Sequence, residues 1–127
     1  CEYKDVTPNK CHEQFLKYKR VIAVVGDSHA EHVLLGLTED MPETGFMLFD
    51  TNQTLPFISS QLSNHFFDVI DANSKIDSVV LVAYWQLRKQ LIAPGSSYLQ
   101  EITPTAQKLT SYGKRVFLID GTPNFSF

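Results

Sequence analysis

The sequence predicts one α/β domain, a three-layer sandwich in which a parallel sheet lies between two layers of helices. Two observations indicate this class. Short apolar runs rich in valine, isoleucine and leucine recur along the chain without the alternation that a half-exposed strand shows. Segments with apolar residues at helical spacing separate these runs, an order typical of right-handed βαβ units. A length of 127 residues, 43% of them hydrophobic, fits a single domain over 1–127.

The predicted core, residues 20–127, contains four strands and three helices, each identified by its apolar pattern. In chain order they are strand 21–25, helix 28–41, strand 46–49, helix 59–72, strand 77–83, helix 98–112 and strand 115–119. The first strand is expected to be central, because its five apolar residues fit a strand covered on both faces. Residues 1–19 are expected to form an N-terminal arm, irregular over 1–11 and a short helix or extended lead-in over 12–19, and residues 84–97 fit neither pattern clearly.

Proline, glycine and asparagine mark where the predicted helices end. Pro42 and Gly45 end the first helix, and Asn73 ends the second. The third helix is expected to be irregular near Pro104, because proline lacks a backbone N–H and clashes with the preceding turn. Gly113 ends it, since glycine readily takes the left-handed conformation that follows many helices.

Composition and charge exclude some classes of function. The chain has 11 Lys and Arg against 14 Asp and Glu, and its basic residues are scattered apart from short groups at 17–20 and 88–89. A stripe of positive charge that follows a phosphate backbone is missing, so nucleic acid is not an expected partner. No apolar run approaches the ~20 residues that a transmembrane helix needs, so we expect no such segment in this chain.

The two cysteines, Cys1 and Cys11, lie in the polar N-terminal arm. A disulfide between them would restrain that arm by up to about 3 kcal/mol in the chain-entropy model. The alternative is a pair of surface thiols in a reducing compartment. With His12 they give at most three ligands at a spacing that zinc sites do not use. We therefore expect no metal, and the sequence indicates no cofactor.

Polar residues follow all four predicted strands. They are Gly26 to His29, Asp50 to Thr54, Tyr84 to Gln86, and Asp120 to Asn124. Because ligands of open parallel sheets collect at the carboxyl ends of the strands, these residues predict a site at that edge.

Ser28 allows two interpretations. As a nucleophile it would use a strand-to-helix corner that exposes its hydroxyl and offers helix N–H groups to a developing oxyanion. As a helix cap, Asp27 or Ser28 would stabilise the helix by about 1 kcal/mol without any chemistry. The buried strand before the corner and the polar residues at the other strand ends favour the nucleophile. We call residues Gly26 to Ser28 the Ser28 corner.

The remaining candidates near the corner have supporting or structural interpretations. Asp27 is expected to brace the turn. His29 and His32, three residues apart on the predicted helix, share a face, and His32 either lines the site or is simply exposed. Tyr84 and Trp85 would contact substrate or pack at the rim of the sheet. His65, near the start of the second helix, is expected to be solvated.

The stretch VVGDSHA at 24–30 resembles block I of the SGNH, or GDSL-like, hydrolase superfamily, whose nucleophile is the serine of Gly-Asp-Ser. The following His-Ala is similar to the variant found in SGNH domains fused to acyltransferase-3 membrane domains, enzymes that O-acetylate bacterial polysaccharides. LVAYW at the third strand and RVFLIDGTPNF at the fourth are similar to the same subset. The resemblance implies an SGNH or flavodoxin-like sheet.

The resemblance also implies roles for particular residues. Ser28 would be the acyl-accepting nucleophile, with its own N–H as one oxyanion donor. The loop that contains Asn52 and Thr54 would supply another. The superfamily completes the oxyanion hole with an Asn after the third strand; this chain has Ala83-Tyr84-Trp85 there, so the third donor would be the indole of Trp85 or the amide of Gln86. Gly26, Asp27, His29 and His32 would support this set.

The chain departs from the superfamily in its acid-base partner. SGNH enzymes carry an Asp-x-x-His in which the His takes the proton of the serine and the Asp orients it. No Asp of this sequence has a His three residues later. We therefore expect that the C-terminal part of the domain, with the base, lies beyond Phe127 and that residues 1–127 alone are inactive.

The function expected from the resemblance is that of an O-acyltransferase or esterase acting on a carbohydrate through a serine acyl-enzyme. The acyl donor would come from a membrane acyltransferase domain, and the domain would face the periplasm or an equivalent exterior, tethered to the inner membrane. One alternative is a noncatalytic carbohydrate-binding module on the same scaffold. A nucleotide-binding or receiver domain is disfavoured, because the first strand is followed by neither a glycine-rich phosphate loop nor an acidic cluster.

Overall fold

A computed structural model of the chain describes residues 2–3, 17–26, 28–51, 57, 61–83 and 98–120. Within these residues it contains five strands and three helices. In chain order they are β1 (Glu2–Tyr3), β2 (Val21–Gly26), α1 (Ser28–Asp40), β3 (Gly45–Asp50), α2 (Gln61–Ala72), β4 (Ile76–Ala83), α3 (Tyr98–Ser111) and β5 (Arg115–Asp120). The predicted α/β class is confirmed, and the predicted strands and helices are found with bounds that differ by one or two residues.

The strands form one parallel sheet in the order β1-β3-β2-β4-β5. The chain leaves β2 through α1 to reach β3 on one side, and it then crosses back through α2 to reach β4 on the other side. The strand order therefore reverses beside β2, which lies in the interior of the sheet as its apolar run predicts. All six residues of β2 are buried.

Two apolar layers cover the sheet, one on each face. On one face α1 packs on alternate residues of the central strands, and its buried residue is Ala30. On the other face α2 and α3 pack on the intervening residues, with the aromatic rings of Phe49 and Phe66 in tilted contact at 5.3 Å between centroids. The chain thus has the predicted three layers, because each strand presents apolar side chains to both sides.

The helix ends follow the predicted signals. The N–H groups of Met41 and Thr44 continue the hydrogen bonding past the end of α1, to the carbonyls of Leu37 and Met41 at 2.9 and 3.2 Å. Gly113 adopts a φ of 80° directly after α3, where a side chain would be strained. The irregularity expected at Pro104 does not end the helix: α3 continues through Pro104, which is exposed.

Two predictions outside the core are wrong. The N-terminal arm is not wholly irregular, because Glu2–Tyr3 forms β1 and pairs with Leu48 and Phe49 of β3. A two-residue strand has no recognisable periodicity, so the sequence pattern could not reveal it. His65 is half-buried rather than solvated, and its Nε2 atom is buried without a hydrogen-bond partner.

Side-chain interactions tie together the edge of the sheet where the strands begin. Arg20 Nε donates to Asp77 Oδ2 at 2.6 Å, and Arg20 Nη2 donates to Ser78 Oγ at 3.1 Å. Lys114, 8% exposed, donates through Nζ to the carbonyl of Asn73 at 2.9 Å. We call this the amino edge, and the opposite edge, where the strands end and the Ser28 corner lies, the carboxyl edge.

Burial and charge act on two groups of the amino edge. Burial lowers the pKa of Lys114, while the carboxylates of Asp71 and Asp77 oppose that shift. Burial raises the pKa of Asp77, but hydrogen bonds from Arg20 and Ser78 with the positive charges of Arg20 and Arg115 outweigh it, so that the pKa lies below the ordinary value of 3.8. This edge is a structural contact between strands and helix ends.

Candidate active site

The Ser28 corner lies where the strand order reverses. Gly26, the last residue of β2, is in register with Asp50 of β3 on one side and with Val82 of β4 on the other. Two residues later Ser28 begins α1. The chain continues from β2 to β3 on one side of β2 and then crosses to β4 on the other side. The crevice above the end of β2 is therefore the position at which open α/β sheets bind ligands.

The start of α1 supplies hydrogen-bond donors at this position. The first N–H groups of a helix have no partner within the helix, and the helix dipole gives them a partial positive charge. Ser28 is the first residue of a helix of 13 residues. An oxygen that acquires negative charge beside Ser28 would therefore meet backbone donors, which is the electrostatic requirement of acyl transfer.

Gly26 is enclosed on all sides. The N–H of Thr51 donates to the carbonyl of Gly26 at 2.8 Å and thereby joins the corner to the residue that follows β3. A Cβ atom placed on Gly26 would overlap the carbonyl oxygen of Val82 and would lie 3.1 Å from the Cβ of Ala30. Only glycine fits here without displacement of the backbone.

Thr51 and Val82 are site-forming residues that the sequence did not single out. Thr51 is fully buried and follows β3, while Val82, 1% exposed, lies one residue before the end of β4. Thr51 was visible only as part of a polar strand end, and Val82 only as one of several apolar strand residues. Their contacts with Gly26 join segments 25 and 56 residues apart, which local patterns do not reveal.

The predicted site residues divide into two groups. Gly26 and the backbone of Ser28 and His29 lie at the corner, and the His32 side chain is exposed on α1, as one of its two interpretations predicts. The others fall outside the residues that the structure describes: Asp27, Asn52, Thr54, Trp85 and Gln86, together with Cys1 and Cys11 of the predicted disulfide. For these, and for the side chains of Ser28 and His29, the roles stay predictions.

Three acidic residues lie near the corner or on its edge of the sheet. Asp50 ends β3 beside Gly26, and Asp120 ends β5 in register with Ala83. Glu31 lies in the first turn of α1, where a negative charge interacts favourably with the helix dipole.

Two open cavities lined by described residues lie away from the corner. One, of about 410 Å³, is bordered by Arg20, Leu37, Met41, Val80 and Phe117 among others, and a smaller one of about 180 Å³ lies near Tyr18 and Pro42. Both are near the end of α1 and the beginning of the strands. The loops that would enclose a pocket at the carboxyl edge fall largely outside the described residues, so these cavities do not argue against the corner as the site.

Neither a metal site nor a membrane-spanning helix is found among the described residues. Among the described residues, no group of three His, Cys, Asp or Glu side chains is arranged to hold a metal ion. None of the three described helices combines the length and the apolar character needed to cross a bilayer.

Comparison with known proteins supports the α/β fold class. A family model described as the SGNH domain fused to AT3 domains matches residues 1–127. No curated protein and no solved structure gives a significant match. The SGNH superfamily consists of hydrolases and acyl-transfer enzymes, and AT3-fused members are parts of membrane-associated proteins. With a match over its whole length, the chain belongs to the family of SGNH domains that are fused to AT3 domains.

Proposed function

We propose that this domain transfers or hydrolyses ester-linked acyl groups on a carbohydrate, with Ser28 as the nucleophile. The observation that carries the proposal is the position of Ser28: it begins α1 directly after the central strand, at the point where the strand order reverses. A helix cap alone would not require this position, whereas a nucleophile does.

The proposed reaction has two displacements. The Oγ of Ser28 attacks the carbonyl carbon of the acyl donor; the new C–O bond forms, and the bond to the leaving oxygen breaks as that oxygen takes a proton. The N–H of Ser28 and the first donors of α1 stabilise the oxyanion. A sugar hydroxyl or water then attacks the acyl-enzyme, its proton leaves, and Ser28 is released.

The proton of Ser28 must go to a base. In the superfamily this is the His of an Asp-x-x-His motif, and residues 1–127 contain no such motif. Of the described histidines, His32 is exposed on α1 and His65 packs beside Phe66 in α2. We therefore assign neither as the base, and we expect little turnover from residues 1–127 alone.

The family and the charge of the described residues support a substrate class and a location for the proposed reaction. Fusion to an AT3 domain supports a membrane acyltransferase as the source of the acyl group, with the acetyl group as the simplest candidate, and a polysaccharide as acceptor. The acidic residues Glu31, Asp50 and Asp120 favour an uncharged donor ester over a phosphate. A site at the periplasmic face of the inner membrane fits this arrangement.

The test uses the protein in its full natural length. Hydrolysis of an acetyl ester and transfer to a polysaccharide are measured for the wild type and for Ser28→Ala, with Ser74→Ala, an exposed serine in the turn after α2, as the matched control. We expect Ser28→Ala to lose at least about 10³-fold in rate, since the acyl-enzyme cannot form. Ser74→Ala should equal the wild type.

Two results would contradict the proposal. Equal rates for the wild type and Ser28→Ala would remove Ser28 as the nucleophile. Saturable binding of polysaccharide by a wild type without turnover, lost on Trp85→Ala and unchanged on Ser28→Ala, would favour the carbohydrate-binding module instead.

A further inference from the structure

Gly26 is held between three elements of the fold. Its carbonyl accepts the N–H of Thr51 after β3, its Cα faces the carbonyl of Val82 on β4, and Ala30 of α1 lies across from it. No other glycine that the structure describes has a comparable environment. A Cβ on Gly36 would meet nothing within 4 Å, and one on Gly45 would meet only the side chain of Tyr18.

A movement of β4 cannot relieve the overlap between a Cβ at Gly26 and the carbonyl of Val82. Val82 is 1% exposed, and it lies in register with Gly26 on one side and with Ile119 of β5 on the other. Its carbonyl belongs to backbone held between two neighbouring strands. A side chain at Gly26 would therefore displace the end of β2, which carries the first turn of α1 and Ser28 with it.

We propose that Gly26 is a positioning residue for the reaction of Ser28, an inference that rests on the proposed function. The absence of a side chain lets the end of β2 approach β4 and Ala30 closely, and the Thr51 hydrogen bond holds the same peptide from the β3 side. Together these contacts define where α1 begins. These contacts therefore also set the position of Ser28, two residues later, in the crevice.

The expected effect of a side chain at Gly26 is a loss of rate rather than a loss of binding. A displacement of about 1 Å in a reacting group can cost about 10²-fold in rate. Gly26→Ala should thus lower kcat by about 10-fold to 100-fold, with KM changed much less, because the groups that bind the rest of the substrate do not move with Ser28.

The experiment measures the reactivity of Ser28 directly in the full-length protein. A fluorophosphonate probe is used, whose phosphorus is attacked by the Ser28 oxygen as fluoride leaves, and labelling is normalised to the folded fraction from circular dichroism. Gly26→Ala is compared with Gly36→Ala and with Gly45→Ala. Gly45→Ala adds a methyl group against Tyr18 at the amino edge, with contacts of 2.9 to 3.1 Å, so it imposes strain away from the corner.

The expected result is slow labelling of folded Gly26→Ala and wild-type labelling per folded molecule for both control variants. Wild-type labelling and kcat in folded Gly26→Ala would overturn the positioning role while leaving Ser28 as the nucleophile. If Gly26→Ala folds only in part, the kcat-to-KM split of the fraction that folds at low temperature tests the same role. Failure of the proposed function itself would be seen separately, as equal labelling of the wild type and Ser28→Ala.

Discussion

The two edges of the sheet are built in different ways. At the amino edge, side chains join the elements: Arg20 bonds to Asp77 and Ser78, and Lys114 bonds to the carbonyl of Asn73. At the carboxyl edge, the described contacts of the corner are made by the backbone around Gly26. The difference indicates that substitutions at the amino edge change stability, whereas small changes at the carboxyl edge alter the position of Ser28, the proposed nucleophile.

The largest expected effect at the amino edge is that of Lys114→Met. Methionine keeps most of the apolar stem but removes one of the two donors to the carbonyl of Asn73, which keeps the N–H of Ile76 at 3.1 Å. The loss of one such hydrogen bond costs about 0.5 to 1.5 kcal/mol of unfolding free energy. Urea unfolding measures the change, with the exposed Lys19→Met as control. Labelling of Ser28 per folded molecule should not change; a fall in labelling would break the separation between the two edges.

The depressed pKa of Lys114 gives this prediction a pH dependence. The folded state binds fewer protons than the unfolded state between the folded pKa and the ordinary value of 10.5, so stability rises with pH in that interval. The unfolding free energy of the wild type should therefore rise relative to that of Lys114→Met as the pH increases through that interval. A difference that stays constant as the pH rises to the ordinary value of 10.5 would contradict a lowered pKa of Lys114.

A smaller effect of opposite sign is expected for Gly36→Ala. Gly36 lies inside α1 with open space where its Cβ would be, and alanine at such a position gains about 0.5 to 1 kcal/mol. Thermal unfolding should show a higher midpoint than the wild type. A loss of Ser28 labelling in this variant would mean that a change in the middle of α1 alters the Ser28 corner. The corner would then depend on the whole of α1 and not only on the backbone around Gly26.

The smallest effect is expected for Asp77→Asn. The Arg20 and Asp77 side chains are 39% and 48% exposed, so the pair contributes less than about 1 kcal/mol near neutral pH. Because the pKa of Asp77 is lower in the folded state, its contribution is present above the unfolded pKa and is lost as the pH falls through the folded pKa. Urea midpoints at about pH 7 and about pH 3 test this, with the exposed Asp68→Asn as control. Parallel pH profiles for Asp77→Asn and wild type would contradict it.

Local pattern was sufficient for the core and insufficient for the contacts. The valine-rich run at β2 predicted a central strand because burial on both faces leaves no polar alternate position, and glycine and proline predicted the helix ends. Strand β1 escaped prediction because two residues carry no periodicity. The burial of Lys114 was not predicted, because a lysine after a turn is usually exposed. Its burial depends on a contact with Asn73, 41 residues earlier.

The candidate site was predictable as a motif and a location but not as a set of contacts. Gly26 and Ser28 stood out through the motif and through the end of the strand. Gly26 has no room for a methyl group because the carbonyl of Val82 lies against it. The sequence does not reveal this contact, because Val82 is 56 residues away along the chain. His65 differs from its prediction for a related reason: the residues before it, Ser63 and Asn64, are polar, whereas the space around its Nε2 is set by packing.

The enclosure of Gly26 also has a consequence for the order of events during synthesis. Thr51 and Val82 emerge from the ribosome 25 and 56 residues after Gly26. Contacts of that sequence separation are entropically costly and form late. With the proposed roles of Gly26 and Ser28, the chain has no positioned nucleophile until β4 has joined the sheet, so a nascent chain would stay unreactive toward esters before its fold is complete.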